Sequence, residues 1–417
     1  MNIYFSGIGG VGIGPLAEIA HDAGYRVQGS DQSESLQFNR LQERGLALNI
    51  GQDGSFLQAC HNEQPIDWFV YTAAIPADHP ELLLAKKLGI KATKRDELIA
   101  HIVKEKDLQL IAVAGTHGKT TATGMMVWAL QQLGVHVSYS VGSTLTFGPS
   151  GKFDPASKYF VYECDEFDRN FLHFSPHLSI ITSIDYDHPD TYPTEGDYKQ
   201  AFRDFLAQSE MAILWKNGAD YIEKPASNAW VLQQNEVMDI AVAGEHNRRN
   251  GTLVAKALEY LQLTDNQKAI EILGRFPGTN RRFERLSDNL YSDYGHHPVE
   301  IAATLQMARE LSDHVVLVYQ PHQNVRQHEV RNDYTDCFEL AETIYWLPTY
   351  LSREDPKLPI LTPDELAAGV TNRDSIRFGE LNDDLWTAIT AARNEGKLVL
   401  GMGAGTIDGW LRGKLKS

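Results

Sequence analysis

Three cysteines in 417 residues, Cys60, Cys164 and Cys337, leave little for a disulfide framework. They lie far apart and form no CxxC pair, which argues against a Cys-rich zinc site and for a reducing compartment. Long apolar runs are missing: none approaches the roughly 20 residues needed to cross a bilayer. No basic-then-apolar leader precedes Asn2-Ile3-Tyr4-Phe5, which reads as a strand, so the expected location is the cytoplasm. Positive charge is in short supply, with 38 Lys+Arg against 55 Asp+Glu and a formal charge of −17. Non-specific DNA or anionic-membrane binding needs a basic surface and is disfavoured. Local loops can still hold phosphorylated ligands against that background. Internal repeats and low-complexity tracts are absent too. The remainder, 42% hydrophobic and 22% charged, is ordinary for a globular enzyme of two to four domains.

What is present is an alternation of short β-rich runs with helical stretches, the pattern of α/β layers around mostly parallel sheets. Three regions, each with a strand–glycine-loop turn, give expected domains at 1–107, 108–279 and 280–417. The first opens with Ile3-Tyr4-Phe5, Gly7-Ile8-Gly9-Gly10-Val11-Gly12 and a helix from Leu16 to Ala23. The second runs from Leu108 to Ala114 into Gly115-Thr116-His117-Gly118-Lys119-Thr120-Thr121, with a helix from about Thr123 to Leu133. Strands are expected there at Tyr159 to Glu163, Leu178 to Ile184 and Met211 to Trp215. The third follows Pro277-Gly278, with strands at Leu290 to Asp293, Val315 to Tyr319, Thr343 to Trp346 and Leu398 to Leu400. Its last strand enters Gly401-Met402-Gly403-Ala404-Gly405-Thr406. The fold class is α/β: a Rossmann-like first domain, a central P-loop domain with a mostly parallel sheet, and a Rossmann-like third.

The loop Gly115 to Thr121 carries the strongest chemical signal. Successive backbone N–H groups and a helix N-terminus make an anion cradle, Lys119 reaches the β/γ-phosphates and Thr120 ligates Mg²⁺. Val113 stands where the general P-loop pattern has its first glycine. Glu163-Cys164-Asp165-Glu166 and Asp185-Tyr186-Asp187-His188 end neighbouring predicted strands, where carboxylate and imidazole can meet Mg²⁺ near phosphates. The Gly7-to-Gly12 loop fits GxGxxG, and Asp31 closes the next strand. That is a nucleotide-diphosphate fingerprint, weak on which nucleotide, with Thr72 and Ala73 ending a further strand. Weaker clusters are His246-Asn247-Arg248-Arg249-Asn250, with Asn247 as a candidate N-cap, and Arg281-Arg282-Phe283. Asp293-Tyr294-Gly295-His296-His297-Pro298 reads as substrate contact or helix capping rather than a metal site. Gln320-Pro321-His322 with Arg326 could receive a carboxylate.

In this order the pieces resemble the Mur ligases over essentially the whole chain. Besides the two glycine loops, the resemblance rests on Glu163 to Asp168 with Phe171-Leu172 and on Asp187-His188-Pro189-Asp190-Thr191-Tyr192. His246 to Asn250, Arg281 to Phe283, Asp293 to Pro298 and Gln320 to His322 complete it. The His-His-Pro segment narrows it to the alanine-adding type and its tripeptide-recycling relative. The resemblance implies that the first domain holds UDP-N-acetylmuramate through Gly9, Gly10, Val11, Gly12, Asp31, Thr72 and Ala73. It implies ATP at Gly115, Thr116, His117, Gly118, Lys119, Thr120 and Thr121, with His246, Asn247, Asn250, Arg282 and Asp293 nearby. It further implies that Thr120, Glu163 and His188 would hold two Mg²⁺, with Mn²⁺ as a substitute, and that Lys119, Glu163, His188 and Arg282 would form the catalytic set. Tyr294, His322 and Arg326 meet L-alanine. A monomer or weak homodimer is expected. One departure stands out: Gln323 occupies a position where alanine-adding members carry arginine. Ala122 also interrupts the threonine run, and the chain is short for the type.

The implied reaction is ligation through an acyl phosphate in peptidoglycan precursor synthesis. Rival readings are the tripeptide-recycling ligase and a folylpolyglutamate-type ligase. From other classes come an NAD-dependent oxidoreductase with an attached ATPase and a non-catalytic UDP-sugar sensor.

Overall fold

The computed structural model describes residues 1–72, 75–188, 191–223, 227–352 and 354–416. The strands there form three sheets, and the alternation of apolar residues decides how each is covered. In the first, β1 (Asn2–Ser6), β2 (Arg26–Asp31), β3 (Ala47–Ile50), β4 (Trp68–Tyr71) and β5 (Lys91–Thr93) lie in the order β3-β2-β1-β4-β5, all parallel. Ile3 and Phe5 pack with Leu16, Ile19 and Leu98 on one side, while Tyr4 packs with Leu57, Phe69 and Leu82 on the other. Burial on both faces is what a parallel sheet between two helical layers demands.

The second sheet contains β6 (Gln109–Ala114), β7 (Val137–Ser140), β8 (Gly151–Lys152), β9 (Tyr159–Glu163), β10 (Leu178–Ile181), β11 (Ala212–Trp215) and β12 (Ala229–Leu232). Their order is β12-β11-β10-β6-β9-β7-β8, and only β8 runs antiparallel. The helix Lys119–Gln132 starts at Lys119 itself rather than near Thr123. Gly118, at φ 84°, lets the loop turn straight into the helix, a conformation costly for other residues. β10 ends at Ile181 rather than Ile184; Thr182 N still donates to Ala114 O, and Ser183 O accepts from Thr116 N of the P-loop.

β13 (Glu284–Ser287), β14 (Leu290–Asp293), β15 (Val315–Tyr319), β16 (Thr343–Trp346), β17 (Ile376–Phe378) and β18 (Leu398–Met402) build the third sheet. Its order is β13-β14-β18-β15-β16-β17, parallel except for the β13–β14 hairpin. Tyr319, Tyr334, Phe338 and Trp346 are fully buried together on one face. β13 was not expected: its polar residues and a register shift between Arg285 and Ser287 hide the strand pattern.

The chain divides into two compact units, Met1–Val237 with Thr252–Leu273, and Met238–Gly251 with Gly274–Ser417. The first two sheets therefore share one unit. The helix Glu245–Tyr260 begins in the second unit and ends in the first. Among the described residues no helix is long and apolar enough to cross a membrane.

Candidate active site

One polar cluster sits on the second sheet. β6 lies between β9 and β10, with Val113 beside Glu163 and Ala114 beside Ile181. Loops leaving the C-terminal ends of these strands therefore meet, at the edge where parallel sheets present ligands. Gly115 is obligatory there: it has φ 126°, and a Cβ would come within 2.5 Å of Thr182 Oγ1 and 2.6 Å of Ser183 O. The loop is tied to the strand β10 exit by His117 N donating to Ser183 Oγ (3.0 Å) and Thr116 Oγ1 donating to Asp185 O (2.8 Å). Thr121 follows on the first turn of the helix.

Lys119 Nζ donates to Gly115 O at 2.6 Å and to Glu166 Oε2 at 2.7 Å. Burial opposes the ammonium charge, but Glu166 and Asp165 outweigh it and raise its pKa above the ordinary lysine value. Burial pushes the Glu166 carboxyl up to about 7, against the pull of Lys119. Thr120 Oγ1 donates to Glu163 Oε1 at 2.8 Å, and Gly142 N donates to Glu163 Oε2 at 2.6 Å. His188 Nε2 lies 3.8 Å from Glu166 Oε1 and 3.7 Å from Asp187 Oδ2. Asp165, Glu166 and His188 offer atoms within 4.8 Å of one another. Glu166 Oε1 is buried without a hydrogen-bond partner among the described residues. A hydroxyl, several carboxylates and an imidazole are a donor set that fits Mg²⁺ or Mn²⁺.

The first glycine loop lies in the same unit, between β1 and its helix Gly14–Asp22. Gly9 N donates to Asp31 Oδ2 at 2.7 Å, and Ser35 Oγ donates to Gly9 O at 3.0 Å. Gly10, Val11 and Gly12 are exposed. Thr72 abuts the loop, since a Cβ on Gly7 would stand 2.8 Å from Thr72 Cγ2. Ala73 lies outside the described residues, as do Pro189 and Asp190.

In the second unit the ends of β14, β18 and β15 are neighbours, with Met402 beside both Asp293 and Tyr319. Asp293 is pinned by amides, accepting from Gly295 N and Phe283 N at 2.7 Å each. Burial raises its pKa against the pull of Arg282. The Tyr294 ring faces the Arg281 guanidinium at 4.7 Å and that of Arg282 at 5.3 Å. The two histidines divide their work: His297 caps the helix Pro298–Leu311, while His296 Nε2 meets Arg326. Burial lowers the His296 pKa to about 4, so its imidazole is neutral at pH 7. Its ring stands edge-on to His322, centroids 5.7 Å apart, and His322 stacks on Tyr350 at 5.7 Å. Gln323, in a left-handed conformation at φ 60°, donates its N–H to Tyr350 O.

The start of the helix Glu245–Tyr260 belongs to this second unit. Asn247 is inside that helix rather than capping it, and its Nδ2 donates to Ala243 O at 2.9 Å. Gly244 N and Arg248 bind Glu310, whose pKa those hydrogen bonds lower to about 2. Burial lowers His246 to about 4, and Asn250 is buried further along.

Two family models match in the order of the sheets: the Mur ligase family catalytic domain over residues 2–107 and the Mur ligase middle domain over residues 113–280. The chain belongs to the Mur ligase family. This Mur ligase is 30% identical to the UDP-N-acetylmuramate–L-alanine ligase of Agrobacterium fabrum, over 100% of the chain and 97% of that relative. It is 31% identical to the ligase of the same name from Clostridium perfringens, over 97% and 95%. The first of these alignments spans 471 positions against 417 residues here, so the relative carries insertions that this Mur ligase lacks. Its fold matches the UDP-N-acetylmuramate–alanine ligase of Thermotoga maritima with TM-score 0.76 at 23% identity, covering 100% of this chain and 98% of that one. A murein peptide ligase from Psychrobacter arcticus matches with TM-score 0.65 at 22% identity, over 100% and 98%.

Sequence reasoning brought the P-loop, Glu163 and His188 of this Mur ligase to one edge, but passed over three participants. Asp165 and Glu166 were visible as acids past the end of β9, yet spacing could not show that Glu166 would turn inward onto Lys119. Gly142 lies in a loop without any motif. Its N–H donates to Glu163 Oε2, and only glycine fits there, since a Cβ would stand 2.7 Å from Glu163 Oε1.

Proposed function

We propose that this Mur ligase joins L-alanine to UDP-N-acetylmuramate, driven by ATP, in cytoplasmic peptidoglycan precursor synthesis. The observation that carries the reading is similarity at 30–31% identity, along nearly the whole chain, to relatives named for that reaction. The UDP-sugar is assigned to the first glycine loop, ATP to the loop Gly115 to Thr121, and the amino acid to the face around Tyr294, His322 and Arg326.

A carboxylate is a poor acceptor for an amine. Its oxygen attacks the γ-phosphorus of ATP, ADP leaves, and the resulting acyl phosphate accepts the amine nitrogen while phosphate departs. Lys119 neutralises charge on the transferring phosphoryl group, backed by the loop amides. Thr120 and Glu163, with Asp165, Glu166 and His188 beside them, would hold the divalent cations. Bound Mg²⁺ supplies further charge neutralisation on the phosphates. Arg326 receives the amino-acid carboxylate, which leaves the amine free to react.

Phosphate release from ATP, measured with UDP-N-acetylmuramate and each amino acid in turn, tests the reading. L-Alanine is expected to give the highest turnover, with glycine or L-serine next. Stimulation by a tripeptide, and by no single amino acid, overturns it in favour of peptide recycling.

A further inference from the structure

In the dinucleotide fingerprint, the acid at the end of the second strand binds ribose hydroxyls. Here that acid is occupied by the loop itself. Asp31 Oδ2 accepts from Gly9 N at 2.7 Å, and Oδ1 accepts from Gln32 N at 2.7 Å. The other side of the Gly9 residue is held as well, because Ser35 Oγ donates to Gly9 O at 3.0 Å. Ser35 is fixed in turn as the cap of the helix Leu36–Glu43, accepting from Phe38 N at 3.0 Å. The fit around Gly9 is close: a Cβ there would stand 2.6 Å from Ser35 Oγ and 3.0 Å from Asp31 Oδ2.

The consequence lies in which amides remain. Gly9 N is taken by Asp31 and Gly10 N by Gly7 O at 3.0 Å. Gly7 and Ile8 N both donate to Ser30 O. Val11 and Gly12, both exposed, are the loop residues whose N–H groups have no partner among the described residues. They sit one turn ahead of the helix Gly14–Asp22, which has no side-chain cap. That is where a diphosphate is best received.

We propose that Asp31 is a positioning residue, a clasp that holds the glycine loop so that Val11 and Gly12 present their amides to a diphosphate, and is not a ribose ligand. This rests on the assignment of the UDP-sugar to this loop. A glycine-rich segment loses much backbone entropy on ordering, and the clasp bears that loss before the ligand arrives.

The test is calorimetric titration of the wild type, Asp31→Ala and Asp31→Asn with UDP-N-acetylmuramate and with its 2′-deoxyuridine analogue. Amide hydrogen exchange at Gly9 is followed in parallel on the ligand-free proteins. Asp31→Ala is expected to weaken both ligands by the same factor, about 10-fold, the scale of one charge-assisted hydrogen bond. Asp31→Asn keeps an acceptor and stays within about threefold of wild type on that same scale. Gly9 exchange accelerates in Asp31→Ala while Ile3, inside the sheet, keeps its rate. If Asp31→Ala erases a wild-type preference for the ribose form, Asp31 is a ribose ligand and the proposal falls. Unchanged affinities with unchanged Gly9 exchange overturn it as well. If the wild type binds no UDP-sugar, the proposed function fails, and the exchange measurement still decides the clasp.

Discussion

Replacing Arg326 by alanine removes the cation assigned to the amino-acid carboxylate. The magnitude follows from its surroundings. Its guanidinium meets His296 Nε2, and among the described residues no carboxylate forms an ion pair with it. Because burial holds His296 near a pKa of about 4, its partner is uncharged at pH 7. An incoming carboxylate thus meets an uncompensated positive charge in a partly buried place. A hydrogen bond to a charged group contributes about 1.5–3 kcal/mol, and the bidentate geometry open to arginine sets the upper end. At about 1.4 kcal/mol per factor of ten, Arg326→Ala should raise the L-alanine KM roughly 100-fold. Initial rates of phosphate release at saturating ATP and UDP-N-acetylmuramate measure this, and the KM values of those two substrates should barely move. Gln323→Arg, which places at this position the residue that the family resemblance led one to expect, should keep or lower the L-alanine KM. An unchanged L-alanine KM in Arg326→Ala would refute the assignment and place the carboxylate elsewhere.

Lys119→Ala should abolish ligation while calorimetry shows UDP-sugar affinity nearly intact. It also removes the cation that draws the buried Glu166 carboxyl down to about 7, so that group takes up a proton, and stability at pH 8 should fall by about 1–2 kcal/mol, the scale of one pKa unit, and recover in Lys119→Ala with Glu166→Gln. Gly142→Ala pushes a methyl group against Glu163 and should raise the Mg²⁺ concentration for half-maximal activity by about tenfold, roughly the loss of one ligand contact. An unaltered Mg²⁺ curve would mean Glu163 is not a ligand. His246 and His296, both lowered to about 4 by burial, are neutral when folded but protonate near the ordinary histidine value when unfolded. Their stabilisation is complete above about pH 6.5 and is lost as pH falls toward 4, with a slope approaching about 2.7 kcal/mol per pH unit for two protons. Chemical unfolding between pH 7 and 5 reads that slope, and a flat profile would contradict the burial of both rings.

Local signals survived the passage from sequence to structure where they depend on short-range geometry. Tyr159–Glu163, Leu290–Asp293, Val315–Tyr319 and Thr343–Trp346 form the strands read from their apolar, β-branched or aromatic runs. Glycine placement likewise announced the turns at Gly115 and Gly118, because only a residue without a Cβ takes those conformations cheaply. Strand order was legible only as the alternation that makes a parallel sheet. That β6 sits between β9 and β10, and so unites Lys119, Glu163 and His188, is a property of the crossovers.

Tertiary structure alone decided the partners of polar side chains, since these depend on residues far apart in the chain. Glu166 is 47 residues from Lys119, and no spacing rule connects them. Asp31 matched a ribose-binding pattern, yet its carboxylate meets Gly9 because the segment around Ser35 packs against the loop. The start of the helix Glu245–Tyr260 packs in the unit of the third sheet, where Met307 and Glu310 supply contacts for its polar residues and glycine, although the middle-domain match runs through it to residue 280.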